Sequence, residues 1–519
     1  MVWAEDRPPH PEIRLVRQGL RGEEAISALG TNLSQVARHI RKTPGELREL
    51  FRRDKGARLD DRGRVFYVCE GIVAPVVSGQ TNLNDTTPSA LLPLDQTFLL
   101  HSKPGSLKVI FLDFDGHTLS GNGWTASGGT NIVAPPWDTD GNPAVFGNAE
   151  RTAIQQIWLR VAEDYAAFDV DVTTEFPGET AMNRIDSFDS RYGTRALVSA
   201  IGYVFGNPGG IAFVGAFDDI GSFNKPALIF PENLGNSEKN IAEAISHEVG
   251  HNLGLTHDGV VGGTEYYTGQ GNWAPIMGLG YSRPITQWSR GEYANANNTQ
   301  DDLVVITQNG LVNRTDDFGS TLATATALLG NNITKTGIIG RTDVDFFSVQ
   351  TGAGTAQITV TPWERGANLH LRVSLYNSAG TVITNREVID GSFNGVRAVA
   401  FSAPVSAGGN YVSIQGIGSD NPLTTGYSAY GSQGGYTLTL MLPAGVSAPA
   451  TVALNFYPGL TVTGSVGLKY RVEYADALTP NTWVTLTNFN PLPASPIFVL
   501  DPTPGTLASR SYRSLLLLP

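Results

Sequence analysis

Three of the chain's 8 histidines fall within eleven residues, His247-Glu248-Val249-Gly250-His251-Asn252-Leu253-Gly254-Leu255-Thr256-His257. Residues four apart on a helix share a face, so His247 and His251 can offer two imidazoles to one ion. Gly254 can take the backbone conformation that ends a helix and turns the chain, which brings His257 round as a third ligand. Three protein ligands leave one position of a tetrahedral zinc open, the arrangement of a catalytic rather than a structural site. Glu248, next to the first ligand, is placed to take a proton from water at that position and pass it to a leaving amine. The competing reading is a polar helix with incidental histidines.

HEVGHNLGLTH matches the signature HExxHxxGxxH, and in this the chain resembles the metzincin zinc metallopeptidases. Asp258 directly after it makes the stretch most similar to the adamalysin/reprolysin branch. The resemblance implies a secreted endopeptidase with one catalytic Zn2+ held by His247, His251 and His257 and with Glu248 as base and acid. It implies a methionine turn beneath the histidines, a role that falls to Met277, one of only 4 methionines. Some family members place a tyrosine two residues after that methionine, at the oxyanion. Here Tyr281 follows by four, so wall packing is its other reading. Family members lay substrate antiparallel to an edge strand above the zinc, for which Gly210, Ile211, Ala212 and Phe213 are the candidates. Cys69, the single cysteine, can occupy the open metal position as a latency switch, although its surroundings do not match the switch motif of relatives. Its alternative is a small buried residue at the end of a short strand, 65–68. Calcium is compatible with such a protein, but no residue pattern calls for it.

The elements around these residues read as several domains. Residues 1–70 are a helical, pro-segment-like region. Leu29, Leu33, Val36, Ala37 and Ile40 line one helical face, and Thr43, Pro44 and Glu46 form a helix start with a capping box. This region carries 14 Lys/Arg against 10 Asp/Glu over residues 1–68, whereas the remainder carries 22 against 38. A basic segment on an acidic body suits electrostatic docking, and the acidic body argues against nucleic acid as a partner. A basic helix-turn-helix is the minor alternative. Residues 71–104, rich in Pro, Ser, Thr and Asn, read as a linker.

Residues 105–312 mix strands (109–112, 170–174, 197–204, 211–217, 227–230) with helices (154–168, 240–253), an α+β metzincin-like catalytic domain. After residue 315 short alternating stretches separated by Gly, Ser and Asn indicate all-β domains, a sandwich over 315–445 and a small module over 450–519. Thr342-Asp343-Val344-Asp345-Phe346-Phe347-Ser348-Val349 resembles the core motif of bacterial pre-peptidase C-terminal domains, and Asp316-Asp317 fits their opening. Residues 315–519 are therefore expected to be dispensable for zinc binding and short-peptide hydrolysis. No apolar run is long enough to span a membrane, and MVWAEDRPPH shows no apolar signal sequence. The expectation is an extracellular monomer acting on polypeptides. The alternative is a zinc-holding adhesion protein, and retention of Glu248 favours the enzyme.

Overall fold

The run Val109-Ile110-Phe111-Leu112 is apolar on both faces, as a strand covered on both sides must be. In the computed structural model it lies within a seven-stranded sheet. The structure describes residues 7–69, 92–125, 129–363, 365–388, 398–444, 458–476, 482–502 and 510–517. Across the sheet the strands run Ala57–Leu59, Val65–Cys69, Gly210–Phe213, Ala227–Ile229, Tyr192–Val198, Lys108–Asp113 and Asp171–Thr173. Strands Ala227–Ile229, Tyr192–Val198, Lys108–Asp113 and Asp171–Thr173 are mutually parallel. Gly210–Phe213 pairs antiparallel with Ala227–Ile229. A side chain at Gly193 would meet the Val109 backbone carbon at 2.8 Å, so only glycine lets these two central strands close up.

The long helix Asn148–Asp164 and the helix Glu238–Asn252 pack against each other and against the sheet. Ile154, Ile157 and Val161 of the first and Ile241, Ile245 and Val249 of the second are completely buried with Ile110 and Val172. The helices start and stop within a few residues of their expected positions, whereas the expected strand over 197–204 lies earlier, at Tyr192–Val198.

The N-terminal region is helical as expected only as far as Arg53. Helices Gly22–Leu29, Leu33–His39 and Pro44–Arg53 are present, the last with the expected capping box: Glu46 N donates to Thr43 Oγ1 at 3.2 Å and Thr43 N to Glu46 Oε2 at 2.6 Å. Ala57–Leu59 and Val65–Cys69 then form a hairpin. Its turn is held by the Asp60 carboxylate, which accepts from the backbone N–H of Arg62 and Arg64. The β-branched and aromatic run Val65-Phe66-Tyr67-Val68 favours strand over helix. Helices and hairpin share their own core of Leu29, Leu33, Val36, Leu47, Phe51 and Leu59.

Of the expected linker, 71–91 lies outside the described residues. Residues 92–104 pack onto the sheet's far edge, with Thr174 N donating to Leu100 O at 3.1 Å and Ser102 N to Val172 O at 3.1 Å.

Beyond residue 315 the described chain is β-structure, a five-stranded sheet facing a four-stranded one. Val344–Thr351 alternates buried and part-exposed residues, the period of a strand with one face in a core. The chain divides into two compact units, residues 1–445 and 446–519. The second holds a pair, Gly459–Val462 with Ile497–Leu500, and a triplet centred on Lys469–Ala475.

The sandwich is not a free appendage. Asn368 N donates to Glu163 Oε1 at 3.3 Å, Gly435 N to Glu163 Oε2 at 3.0 Å, and Asn368 Nδ2 to Asp164 Oδ1 at 2.7 Å. Tyr430 OH donates to Asp301 Oδ1 at 2.7 Å. These bonds tie the sandwich to the end of the long helix and to the start of the helix Asp302–Gln308. Replacing Asn368 by Ala leaves a buried carboxylate oxygen without its donor. The expected cost is about 1–3 kcal/mol, read as a lowered urea midpoint. A chain ending near residue 312 is expected to aggregate.

A second prediction concerns acid. His10 lies between Pro11 O and Gly63 O at the N-terminal region's base. Burial, with Arg64 and His39 nearby, pushes its imidazole down from 6.5 to about 4. The unfolded imidazole protonates near 6.5 and the folded one near 4, so the unfolded state binds the extra proton between these values. Stability is then lost as pH falls through that window. His10→Asn is expected to flatten this loss in denaturation midpoints measured from pH 7 to pH 4.

Candidate metal centre and peptide cleft

The helix Glu238–Asn252 carries His247, Glu248 and His251 on its buried side. It ends at Gly254, whose φ is +88°, and a side chain there would also meet Asn309 Nδ2 at 2.6 Å. Glycine is required on both counts. The turn brings His257 back: the imidazole centroids lie 4.7 Å (His247–His251), 5.2 Å (His247–His257) and 4.9 Å (His251–His257) apart.

His247 Nδ1 lies 2.9 Å from Ile276 O and His251 Nδ1 2.9 Å from Leu255 O. A carbonyl only accepts, so each Nδ1 carries the proton and each Nε2 keeps its lone pair, the tautomer a metal requires. Burial pushes the His247 imidazole down to about 3 and His251 well below its ordinary value, which keeps both neutral. His257 Nδ1 faces Asp54 Oδ2 at 2.9 Å.

Cys69 Sγ lies 3.4 Å from His251 Nε2 and 3.5 Å from His257 Nε2. Ligand atoms of Cys69, His247, His251 and His257 all lie within 4.8 Å of one another, and all four residues are buried. Among the described residues His247 Nε2 has no hydrogen-bond partner. An orphaned buried lone pair within a set of three imidazoles and one thiol fits a zinc ion. Acidic groups at Asp138, Asp140, Glu150 and at Asp316, Asp343, Asp345 also gather, as such groups often do without an ion.

Glu248 is 1% exposed and its Oε2 is unpartnered. Burial pushes its carboxyl up to about 8. A side chain at Gly210 would meet Glu248 Cγ at 2.6 Å, so that glycine makes the carboxylate's room. Met277 is fully buried beneath the helix, where a side chain at Gly250 would meet its Sδ at 2.7 Å. Tyr281 packs against the main core, and burial, with Cys69 and Glu248 nearby, pushes its phenol up.

The candidate edge strand Gly210–Phe213 is covered. Val65–Cys69 lies antiparallel on it, in the register Cys69↔Gly210, Val68↔Ile211, Tyr67↔Ala212 and Phe66↔Phe213. The basic N-terminal region meets acid at the cleft's other end. Arg7 lies 2.7 Å from Asp218 and 2.5 Å from Asp219, Arg41 3.0 Å from Asp218, His39 3.4 Å from Asp219 and Arg64 3.8 Å from Asp219.

Three residues at the cluster were not singled out from sequence. Tyr67 stacks on His251 at 4.1 Å and 13°, Tyr266 lies 4.2 Å from the His257 ring, and Asp54 faces the same imidazole. The one usable signal was for Tyr67, which shares a strand face with Cys69 at a spacing of two. Burial, followed by the neighbouring Glu248, raises the Cys69 thiol well above its ordinary value.

Residues 153–258 match the reprolysin-like family M12B metallopeptidase model. No curated protein matches the chain. Among solved structures, CorA, a surface-associated copper-binding protein of Methylomicrobium album BG8, is 12% identical, covers 23% of this chain and 98% of its own, with a TM-score of 0.19. The pre-peptidase C-terminal domain of a Bacillus anthracis collagenase is 18% identical, covers 25% of this chain and 99% of its own, with a TM-score of 0.16. With scores this low, neither bears on activity. The stretch that matches this metallopeptidase model, residues 153–258, holds the three histidines and Glu248, and the family is the one HExxHxxGxxHD implied.

Proposed function

We propose that this chain is an extracellular zinc-dependent endopeptidase held latent by its own N-terminal region. In this reading residues 105–312 are the α+β catalytic domain, 315–445 an all-β sandwich, 450–519 a further β module, 1–70 the inhibitory segment and 71–104 its connection. The observation that carries it is the convergence of three metal-ready imidazoles beside Glu248, along a strand edge that can pair with an extended peptide. Extracellular placement rests on the family resemblance. Among the described residues no helix is long and apolar enough to cross a membrane.

His247, His251 and His257 would hold zinc, which when bound supplies a Lewis acid that polarises the scissile carbonyl and acidifies water. Gly210–Phe213 aligns the peptide by β-augmentation. Glu248, dry and confined beneath Gly210, accepts the proton of the attacking water and returns it to the leaving amine nitrogen. Cys69 keeps water from the position beside Glu248, and coordination would convert its raised thiol to thiolate.

One observation favours a second reading, a zinc-holding protein without turnover. With Cys69 the donor set is three imidazoles and a thiol, a closed four-ligand set of the structural kind. Cutting the folded full chain within residues 70–91, at an inserted site for a specific protease, separates the two readings. Chelator-sensitive hydrolysis of an unfolded protein after the cut supports the latent peptidase. Its absence, with the N-terminal piece shown to have left, supports the second reading.

Two predictions follow from the chemistry of the site. Elemental analysis is expected to find one zinc per chain, lost on replacing any of the three histidines by Ala. In cobalt-substituted protein a thiolate charge-transfer band is expected that Cys69→Ser abolishes. Glu248→Gln is expected to retain zinc while turnover of the cut chain falls by about 10²–10⁴-fold.

A further inference from the structure

The strand Val65–Cys69 runs along Gly210–Phe213 in the direction expected of substrate, and its pairing continues at both ends: Gly209 N donates to Cys69 O at 2.8 Å and Val214 N to Val65 O at 2.9 Å. Each of its side chains therefore occupies the place a bound polypeptide's would. Phe66, three residues before Cys69, enters an aromatic group, with ring centroids 5.7 Å from Phe213 and 5.8 Å from Trp124. Trp124 packs in turn on Phe213 at 4.3 Å and on Phe205 at 6.0 Å. Arg64, five residues before Cys69, lies 3.8 Å from Asp219 and beside the Asn224 amide, which turned to satisfy its neighbours accepts from Arg64 Nη1 at 2.7 Å.

Asp218 and Asp219 are nearly enclosed, with side chains 6% and 13% exposed. Their ion-pair partners Arg7, His39, Arg41 and Arg64 all come from the N-terminal region. Once that region leaves, the two carboxylates lose three guanidinium partners and keep Lys225 and Arg184 nearby, and the strand edge and aromatic group beside them are bared. A loss of partners of this kind is costly until a cation replaces those lost.

From this, and resting on the peptidase reading above, we infer that the cleft selects polypeptides with an aromatic side chain three residues, and an arginine or lysine five residues, before the residue seated at the metal. The self-supplied strand is a template of that preference. Phe213 and Trp124 read the aromatic position, and Asp219 with Asn224 reads the basic one.

The test uses the full chain carrying Glu248→Ala and the inserted protease site, folded intact, cut, and freed of its N-terminal piece by a high-salt wash that weakens the ion pairs. Its ligand is a labelled octapeptide of residues 62–69 with Cys69→Ser, read by fluorescence anisotropy. The peptide is expected to bind. Versions with Arg64→Glu or Phe66→Ala are each expected to bind at least about tenfold more weakly. In protein that also carries Asp219→Asn, the loss caused by Arg64→Glu is expected to shrink to under about threefold. Failure of the parent peptide to bind, equal binding of the three peptides, or an Arg64 effect unchanged by Asp219→Asn overturns the inference. In parallel, the same cut chain with Glu248 intact is offered a peptide library with chelator controls. Binding preference without cleavage sinks the peptidase reading alone. Cleavage without preference at these two positions sinks the inference alone.

Discussion

The antiparallel pairing of Val65–Cys69 with Gly210–Phe213 is the constraint on which the metal site depends. The backbone ladder fixes the register, and the period of two then sends Tyr67 and Cys69 to the histidine side and Phe66 and Val68 to the other. A slip of one residue would withdraw the thiol and present valine to three unpaired imidazoles. The same ladder covers a sheet edge that would otherwise expose unpaired backbone groups.

Two unlike contacts hold that register. Along the strand, packing of Tyr67 on His251 and of Phe66 on Phe213 supplies apolar and aromatic contact. At its start, the Asp218–Asp219 pair gathers cations from Arg7, the helix Leu33–His39 with the residues after it, and the hairpin. Apolar contact is insensitive to salt, whereas ion pairs weaken as salt rises. The N-terminal region is therefore anchored firmly at the metal end and conditionally at the acidic end.

The histidines were legible in sequence because helix geometry is local: spacing by four and a following glycine suffice to put three imidazoles together. The edge strand was legible through family resemblance, and the capping box through its own residues. The partners that arrive from far along the chain were not. Asp54 meets His257 across some two hundred residues, and no periodicity around Asp54 marks it. The second strand of the hairpin was legible as a short strand over 65–68, whereas Ala57–Leu59 lay unmarked in the stretch read as helical. That Cys69 is the chain's only cysteine made it noticeable, but only the fold places it against the histidines.

The sandwich bears on the metal helix through a short chain of hydrogen bonds. Ser246, the residue before the first histidine, donates to Asp164 Oδ2 at 2.6 Å, and Tyr165 OH donates to Ser246 O at 3.0 Å. Asp164 Oδ1 takes its bond from Asn368, on the sandwich. Burial pushes the Asp164 carboxyl up, and the bonds from Ser246 and Asn368 oppose that rise. Without the sandwich that carboxylate keeps one donor, faces solvent on its other side, and Ser246 loses a fixed acceptor. A histidine platform needs its helix held to a fraction of an ångström. The sandwich thus braces the helix that carries His247 and His251, within the compact unit of residues 1–445.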